Sequence, residues 1–422
     1  MRARGNELLE FTEARRIVLA SCALLGAERV DLSEALWRTL AEDVVSGDDV
    51  PSADNSAMDG FAVVAADTRE ATDDKPVALR VVGEIAAGPP PHATVRREQA
   101  ARIMTGGVMP DGADAVVIVE RAREKDGRVL IFSPAKPGQN VRRKGEDIRK
   151  GKVVYRSGEL VRAAELGVLA SLGFPEVSVF RRPVVAIVTT GDELIDVAEE
   201  LSPGMVRSSN TYTLLGQVRE AGGEAEVLGK ASDREDELES MMKCGRKADM
   251  LITSGGVSAG EYDLVPKVAE RIGEVRFHGV AMKPGSPMAF GRIGETVWFG
   301  LPGNPVASMV CFEMFVRPAI LKMTGRRRVF RPEVKVRTGT GITRSARVHF
   351  MRVSVEREDE ELVAYPAREQ GSGILTSVSV ADGLLIVEAG EAALPRGTEL
   401  TMQVLRAGRL LERTGPRERR EE

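Results

Sequence analysis

The sequence predicts a multidomain chain of mixed α+β and α/β class. It has a central three-layer α/β domain with a mostly parallel sheet, an inserted β-rich domain and a C-terminal β-barrel-like domain. Three observations predict it. At 422 residues the chain is long enough for about two to four domains. From 184 to 325, short apolar runs alternate with stretches of helical spacing, the pattern of successive strand–helix units. On both flanks that alternation gives way to short strand-like runs cut by Gly, Pro and Asp, as expected of β modules.

Taken in order, apolar spacing predicts helices over 12–25 and 32–40, the second capped by Asp31 or Ser33. Strand-like runs lie at 77–85, 100–104, 115–119, 129–132 and 152–155, and a helix over 162–172 stops at Gly173. The texture changes at Arg182-Pro183. A strand at 184–188 runs into Thr-Gly-Asp-Glu at 190–193, then helix 211–221, strand 225–228, helix 234–244, strand 250–253 and helix 264–272 follow. Runs at 276–281, 287–292 and 296–299 lead to Pro-Gly-Asn-Pro at 302–305 and a long apolar helix ending near Gly325. A basic connector, 326–331, precedes strand-like 333–337, 348–357, 362–365, 383–387 and 399–406. Those five runs fit a small barrel or sandwich of ~80 residues. The boundaries expected are 1–50 with 145–180 as a discontinuous helical linker, 51–144 as the insertion, 181–325 as the α/β domain and 326–410 as the C-terminal β domain. A flexible tail is expected at 411–422.

Composition narrows the function. A hydrophobic fraction of 43% with 29% charged residues excludes a wholly disordered chain. With only 4% aromatics the core must be largely aliphatic. The formal charge of −4 lacks the basic excess of a general nucleic-acid binder, yet leaves room for a local anion site. Cys22, Cys244 and Cys311 are isolated, so they form neither a metal spacing nor a disulfide framework, and each reads as a buried spectator. His92, His278 and His349 are far apart, unlike a histidine-rich zinc site. Glu7 and Glu10 precede the first apolar run, unlike a secretory signal, and no apolar run reaches the ~18 residues of a membrane span. A cytoplasmic, soluble chain with neither nucleic-acid nor membrane partner is expected.

Glycine and acid coincide after strands. Thr190, Gly191 and Glu193 follow one strand; Ser254, Gly255, Gly256, Ser258 and Asp263 follow another. Glycine pairs permit positive φ and expose N–H groups to an oxyanion, and a following helix N-terminus favours negative charge. Asp263 could equally be that helix's cap. Lys283, in Lys-Pro-Gly-Ser at 283–286, supplies a point charge for phosphate or is a solvated loop lysine. Pro302, Gly303 and Asn304 form a stiff strand-to-helix turn or a ligand-shaping one. In the insertion, Asp54, Ser56 and Asp59 suit Mg²⁺ or an Asx-rich turn. The run 142–147, with Arg142, Arg143 and Asp147, could position an anion and its metal, or be a salt-bridged face. No Ser/His/Asp or Cys/His nucleophile accompanies these acids. Phosphoanhydride chemistry requires none, so transferase or nucleotide-hydrolase chemistry is favoured.

In combination these segments are specific: Ser-Ala-Met-Asp-Gly at 56–60, Thr105-Gly106, Arg-Lys-Gly-Glu-Asp at 143–147, Thr-Gly-Asp-Glu-Leu at 190–194 and Ser209-Asn210. Ser-Gly-Gly-Val-Ser at 254–258 with Glu261 and Asp263, Lys-Pro-Gly at 283–285 and Leu-Pro-Gly-Asn-Pro at 301–305 complete them. From about Asn6 to Ala407 the chain resembles the molybdopterin molybdenumtransferase family, bacterial relatives of the gephyrin C-terminal domain.

That resemblance implies Mg²⁺-dependent insertion of molybdate into the dithiolene of adenylylated molybdopterin, with release of AMP. It implies a homodimer in which 1–50 with 145–180 takes part in dimerisation, and each cleft joins the α/β domain of one subunit to the N-terminal part of the other. A molybdopterin adenylyltransferase upstream, and cofactor chaperones or apo-molybdoenzymes downstream, are the implied partners. By family position, Asp59, Thr105, Asp147, Glu193, Asp233 and Asp263 are the implied catalytic residues, with Asp59, Glu193 and Asp263 handling molybdate and Mg²⁺; helix capping is the rival role for Asp233. Arg142, Arg143, Thr190, Gly191, Asn210, the 254–258 loop with Ser258, Lys283, Gly285, Ser286, Pro302, Gly303 and Asn304 are implied in binding pterin phosphate or adenylate. Arg347 and Ser372 resemble cleft-facing positions. Three departures stand out: Ser286 where the family usually has Lys, Phe61 where Tyr is common, and Asp382 where Asn is common. Rival readings are a tungstate-inserting or adenylate-handling paralogue, and a non-catalytic gephyrin-like scaffold.

Overall fold

The central sheet is ordered Glu224–Ala231, Val184–Thr190, Met250–Ser254, Thr296–Leu301, Ala289–Ile293, Glu274–His278 in the computed structural model, which describes residues 8–88, 91–257, 264–367 and 369–407. The first four strands are parallel and the last two add an antiparallel edge. Side chains alternate across a strand, and here both faces are covered. Val185, Ile187, Met250, Ile252, Val297 and Phe299 pack in one cluster with Leu214, Val218, Phe312 and Phe315. Ala186, Val188, Leu251 and Trp298 pack in the other with Leu238, Met242, Val265 and Val268. Three layers result, and the continuous aliphatic runs of these strands are the consequence of two-sided burial. The helix Phe11–Ser21 joins this core through Phe11, Ala14 and Val18, although sequence order groups it with the linker.

The insertion forms a six-stranded sheet with Gly60–Val63 between Ala115–Ile118 and Gln99–Ile103. In the C-terminal unit Val348–Glu358 pairs with both Glu361–Pro366 and Gly383–Val387, so the five-strand circuit closes into a barrel. Met282–Lys283 pairs in parallel with Val348 and His349, attaching a loop of the central domain to the barrel. The long helix near its end is two α segments, Pro305–Cys311 and Arg317–Met323, joined by a π turn at Phe312–Val316. Among the described residues no helix is long and apolar enough to cross a membrane.

Two expectations are corrected. The helix over 32–40 shrinks to a single 3-10 turn, Leu32–Glu34, whose Asp31 cap makes no side-chain bond. Trp37 then turns left-handed at φ 63, held by its N–H to Val161 O at 2.8 Å. Cys244 is exposed, whereas Cys22 and Cys311 are buried, because Cys244 lies at the solvent-facing end of the amphipathic helix Glu235–Cys244. The tail residues from 408 onward lie outside the described residues.

A left-handed backbone costs a β-carbon residue about 1–2 kcal/mol, and Trp37 remains 60% exposed. Trp37→Gly should therefore raise unfolding stability by about 1 kcal/mol in a urea titration, after glycine's own entropy is subtracted. A loss of stability would refute the strain assignment.

Candidate functional site

Loops at the carboxyl ends of the parallel strands, the usual binding edge of such sheets, line a cleft of about 1080 Å³. Val184–Thr190 delivers Thr190, Gly191 and Glu193; Glu224–Ala231 delivers Asp233. Ser254, Gly255 and Gly256 follow the third strand, and Pro302, Gly303 and Asn304 the fourth. Asn210 enters from the start of helix Ser209–Glu220, and Lys283, Gly285 and Ser286 from the loop tied to the barrel. Arg347 and Ser372 close the barrel side.

Close backbone approach dictates two of the glycines. Gly255 has φ 106, and a β-carbon there would stand 2.3 Å from Thr190 O. Gly285 has φ 104, and its β-carbon would meet Cys311 Sγ at 2.4 Å. Asn210 Nδ2 donates to Ser254 Oγ at 2.9 Å and Gly303 O at 2.8 Å, stitching two strand-end loops together. Its Oδ1 is buried without a partner, an acceptor available to a ligand N–H or O–H. Thr190 Oγ1 donates to Asp233 Oδ1 at 3.1 Å. Asp233 is not the cap of the next helix, whose cap position is Arg234. Ser286, expected as a ligand donor, instead donates to Val280 O at 2.9 Å. Ser372 O accepts from Val306 N–H at 3.1 Å, joining the barrel to the first turn of the long helix.

Asp59, Thr105, Arg142, Arg143 and Asp147 do not line this cleft. Asp59 Oδ1 accepts from Thr105 N–H at 2.7 Å and from Thr105 Oγ1 at 2.8 Å. The Thr105 amide first, and then its hydroxyl, hold the Asp59 carboxyl below the usual range. Arg143 pairs with Asp54 Oδ2 at 2.6 Å, so the charged run at 142–147 is partly an ion-paired face. Ser258 and Asp263 lie outside the described residues.

Against known proteins, residues 9–173 match the family described as "MoeA N-terminal region (domain I and II)" and 186–322 the "Probable molybdopterin binding domain". Residues 335–405 match the "MoeA C-terminal region (domain IV)". The molybdopterin molybdenumtransferase of Bacillus subtilis is 38% identical over 387 residues, covering 90% of this chain and 89% of its own. The chain belongs to the molybdopterin molybdenumtransferase family. The Haemophilus influenzae molybdopterin molybdenumtransferase is 41% identical over 308 residues, 72% of this chain and 75% of its own. The crystal structure of the molybdopterin biosynthesis MoeA protein from Pyrococcus horikoshii aligns with a TM-score of 0.82 at 30% identity, over 94% of this chain and 100% of that one.

For this family member the metal question turns on which acids meet. Among the described residues no three His, Cys, Asp or Glu side chains form a metal-holding group. Glu193 and Asp233 share the cleft, while Asp59 stands on the inserted sheet beside Thr105. Two hard oxygen donors suffice for Mg²⁺, which keeps waters and takes the rest of its shell from substrate phosphates. The described donor set is compatible with that ion. Cys311 offers no alternative nucleophile, since burial pushes its thiol well up.

Arg352 escaped sequence reasoning. It is 0% exposed and donates Nε to Ser377 Oγ at 3.0 Å, with Nη2 to Glu369 O at 3.3 Å and Gly371 O at 3.1 Å. Gln370 Nε2 donates to Arg352 O at 2.9 Å. Arg352 is therefore the brace of the loop that carries Ser372 into the cleft. The available signal was a cation inside the apolar strand 348–353.

Lys283 and His349 are register partners. Burial first, then the Lys283 and Arg352 charges, lower the His349 pKa from 6.5 to about 4, and its Nε2 has no partner among the described residues. Between those values the unfolded chain takes up a proton that the folded chain refuses, so stability falls as pH drops from 6.5 toward about 4. Urea titrations across that window should show a shallower decline for His349→Gln; equal slopes would refute the assignment.

Proposed function

We infer that the chain transfers molybdenum from molybdate to the dithiolene of molybdopterin, presented in adenylylated form, and releases AMP when the anhydride is cleaved. The observation that carries this reading is one cleft holding two carboxylates, Glu193 and Asp233, opposite glycine-rich loops and Lys283. That arrangement binds phosphates and an oxyanion without a covalent nucleophile. Gly255 N–H already donates to Leu301 O at 3.1 Å, so the Gly256 N–H is the one left in this turn for phosphoryl or molybdate oxygens, and Lys283 adds a point charge. Asn210 Oδ1 accepts from the pterin or the ribose. Glu193 and Asp233 hold Mg²⁺ in this reading. When bound, the ion offsets charge on the phosphates.

A homodimer would let Asp59, Thr105, Asp147, Arg142 and Arg143 of one subunit complete the cleft of the other. The exposed Asp59–Thr105 pair, preorganised yet not lining the cleft of its own chain, supports that arrangement. Asp263 and Ser258 would join the same cleft through the 254–263 loop. The substrate would come from a molybdopterin adenylyltransferase and the product pass to cofactor chaperones or apo-molybdoenzymes in the cytoplasm.

Purified protein given adenylylated molybdopterin, Mg²⁺ and molybdate should release AMP and form active cofactor. Glu193→Gln or Asp233→Asn should lower the rate by about 10²-fold, the scale of losing a charge-stabilising group, with circular dichroism unchanged. No AMP and no cofactor from the wild type would overturn the reading. Tungstate competition, read by metal analysis of the product, identifies the preferred oxyanion.

Cleft completion across subunits has its own test. Neither Asp59→Asn nor Glu193→Gln is expected to be active alone. Refolded together they should recover roughly a quarter of wild-type activity, because half the dimers are mixed and each mixed dimer has one intact cleft. No recovery on mixing would show that both residues serve the same chain.

A further inference from the structure

A second cavity, of about 750 Å³, opens between the linker turn at Trp37, the end of helix Ser209–Glu220 and the segment after helix Arg317–Met323. Arg182, Arg219 and Arg326 line it together with Trp37. The adjacent Arg181 shows what an arginine does here when an acid is available: it grips Asp249 with two bonds of 2.6 and 2.5 Å. Arg182, Arg219 and Arg326 have no such side-chain partner among the described residues. The Nε of Arg326 is fully buried and unpartnered. Burial and the nearby Arg162 charge both disfavour its cationic form, so this Nε–H donor sits in a half-buried guanidinium with no ion-paired acid among the described residues to relieve it.

Two carboxylates also line the cavity, Glu220 and Glu224. Each has basic neighbours elsewhere: Glu220 acts on Arg317 and Arg331, and Glu224 on Arg181. Among the described residues neither forms an ion pair with Arg182, Arg219 or Arg326, so the cavity presents three guanidiniums against two carboxylates. On its rim Trp37 is held in a left-handed backbone that glycine would adopt more easily, with its indole largely in solvent. Strain together with exposure of a large aromatic ring points to a contact role rather than a packing one.

We propose that this cavity binds a phosphate-bearing small molecule, with phosphate oxygens on Arg182, Arg219 and Arg326 and any planar ring against Trp37. Three guanidinium forks present more donors than one carboxylate can accept, whereas phosphate oxygens satisfy several forks at once. An indole face accepts a base or another flat ring by stacking. The site is separate from the molybdenum-transfer cleft and does not depend on that chemistry.

Trp37 is one of 2 tryptophans; the other, Trp298, is 0% exposed and bonds Thr253. Emission of the full-length protein should therefore report on the cavity. Inorganic pyrophosphate and ATP are the two probes. Each should change the emission saturably below about 10 mM, and the change should vanish in Trp37→Phe. An Arg182→Ala, Arg219→Ala double variant should weaken binding at least about tenfold by calorimetry, the scale of one lost charged bond. Both residues are exposed and unpaired, so the fold is not at risk. Tighter binding of ATP than pyrophosphate, lost in Trp37→Leu, identifies a ring-bearing ligand; equal affinities identify bare phosphate. The double variant should keep its molybdenum-transfer rate. No saturable response to either probe, unchanged affinity in the double variant, or joint loss of binding and transfer would each overturn the proposal.

Discussion

Burial of three of the four parallel strands on both faces, with Glu224–Ala231 as the exposed edge, is the constraint from which the rest of the structure follows. Strands such as Met250–Ser254 and Thr296–Leu301 are buried along their whole length, so neither face can hold a solvent-exposed ligand. Chemistry is confined to the strand ends, where the backbone must leave the sheet and its N–H groups lose their ladder partners. That is where the polar residues collect. Asn210 then bonds two of the resulting loops at once, which makes the cleft floor one unit rather than four independent turns.

The barrel acts on this floor from outside the sheet. Pairing of Met282–Lys283 with Val348 and His349 fixes the lysine loop to a barrel strand, and three positions further along the same strand Arg352 holds the loop of Ser372. One strand thus positions two walls of the cleft. Its buried groups are the Arg352 cation and His349, whose pKa is lowered first by burial and then by the Lys283 and Arg352 charges. A neutral His349 leaves Lys283 as the cation of this pair that lines the cleft.

Much of the fold was legible because aliphatic periodicity reports burial directly. The strands 184–188 and 250–253 and the helix 264–272 were recognisable from that alone, as were the glycine–acid loops after them. What failed was structure set by distant partners. Gly60–Val63 follows directly on the Asp54–Asp59 run that reads as an Asx-rich turn, yet all four residues are buried because Gln99–Ile103 and Ala115–Ile118 flank them. The helix over 32–40 failed because Val161 O fixes Trp37 in a turn. Arg352 was missed because none of its acceptors is an acid: they are the Ser377 hydroxyl and two backbone carbonyls 17 and 19 residues away, which leave no trace as charge pairing. The insertion residues Asp59, Thr105, Arg142, Arg143 and Asp147 do not line the cleft of their own chain.

Pairing of charge divides the molecule more sharply than charge itself does. In the insertion, cations meet acids: Arg143 with Asp54, Lys144 with Asp49 and Arg97 with Asp67. Those contacts are mostly exposed and add little stability, and they take up Arg143 and Lys144 of the run at 142–147 but not Arg142 or Asp147. Around the central sheet the balance differs. Among the described residues Lys283 forms no ion pair, although Glu193 and Asp233 share its cleft, and Arg182, Arg219 and Arg326 form none in the second cavity that Glu220 and Glu224 also line. Unpaired cations set in concave, partly dehydrated surroundings carry an electrostatic cost in the free protein, and an anion relieves it on binding. By that argument a near-neutral chain can still be an anion-binding protein, because what matters is where its positive charges lack acids.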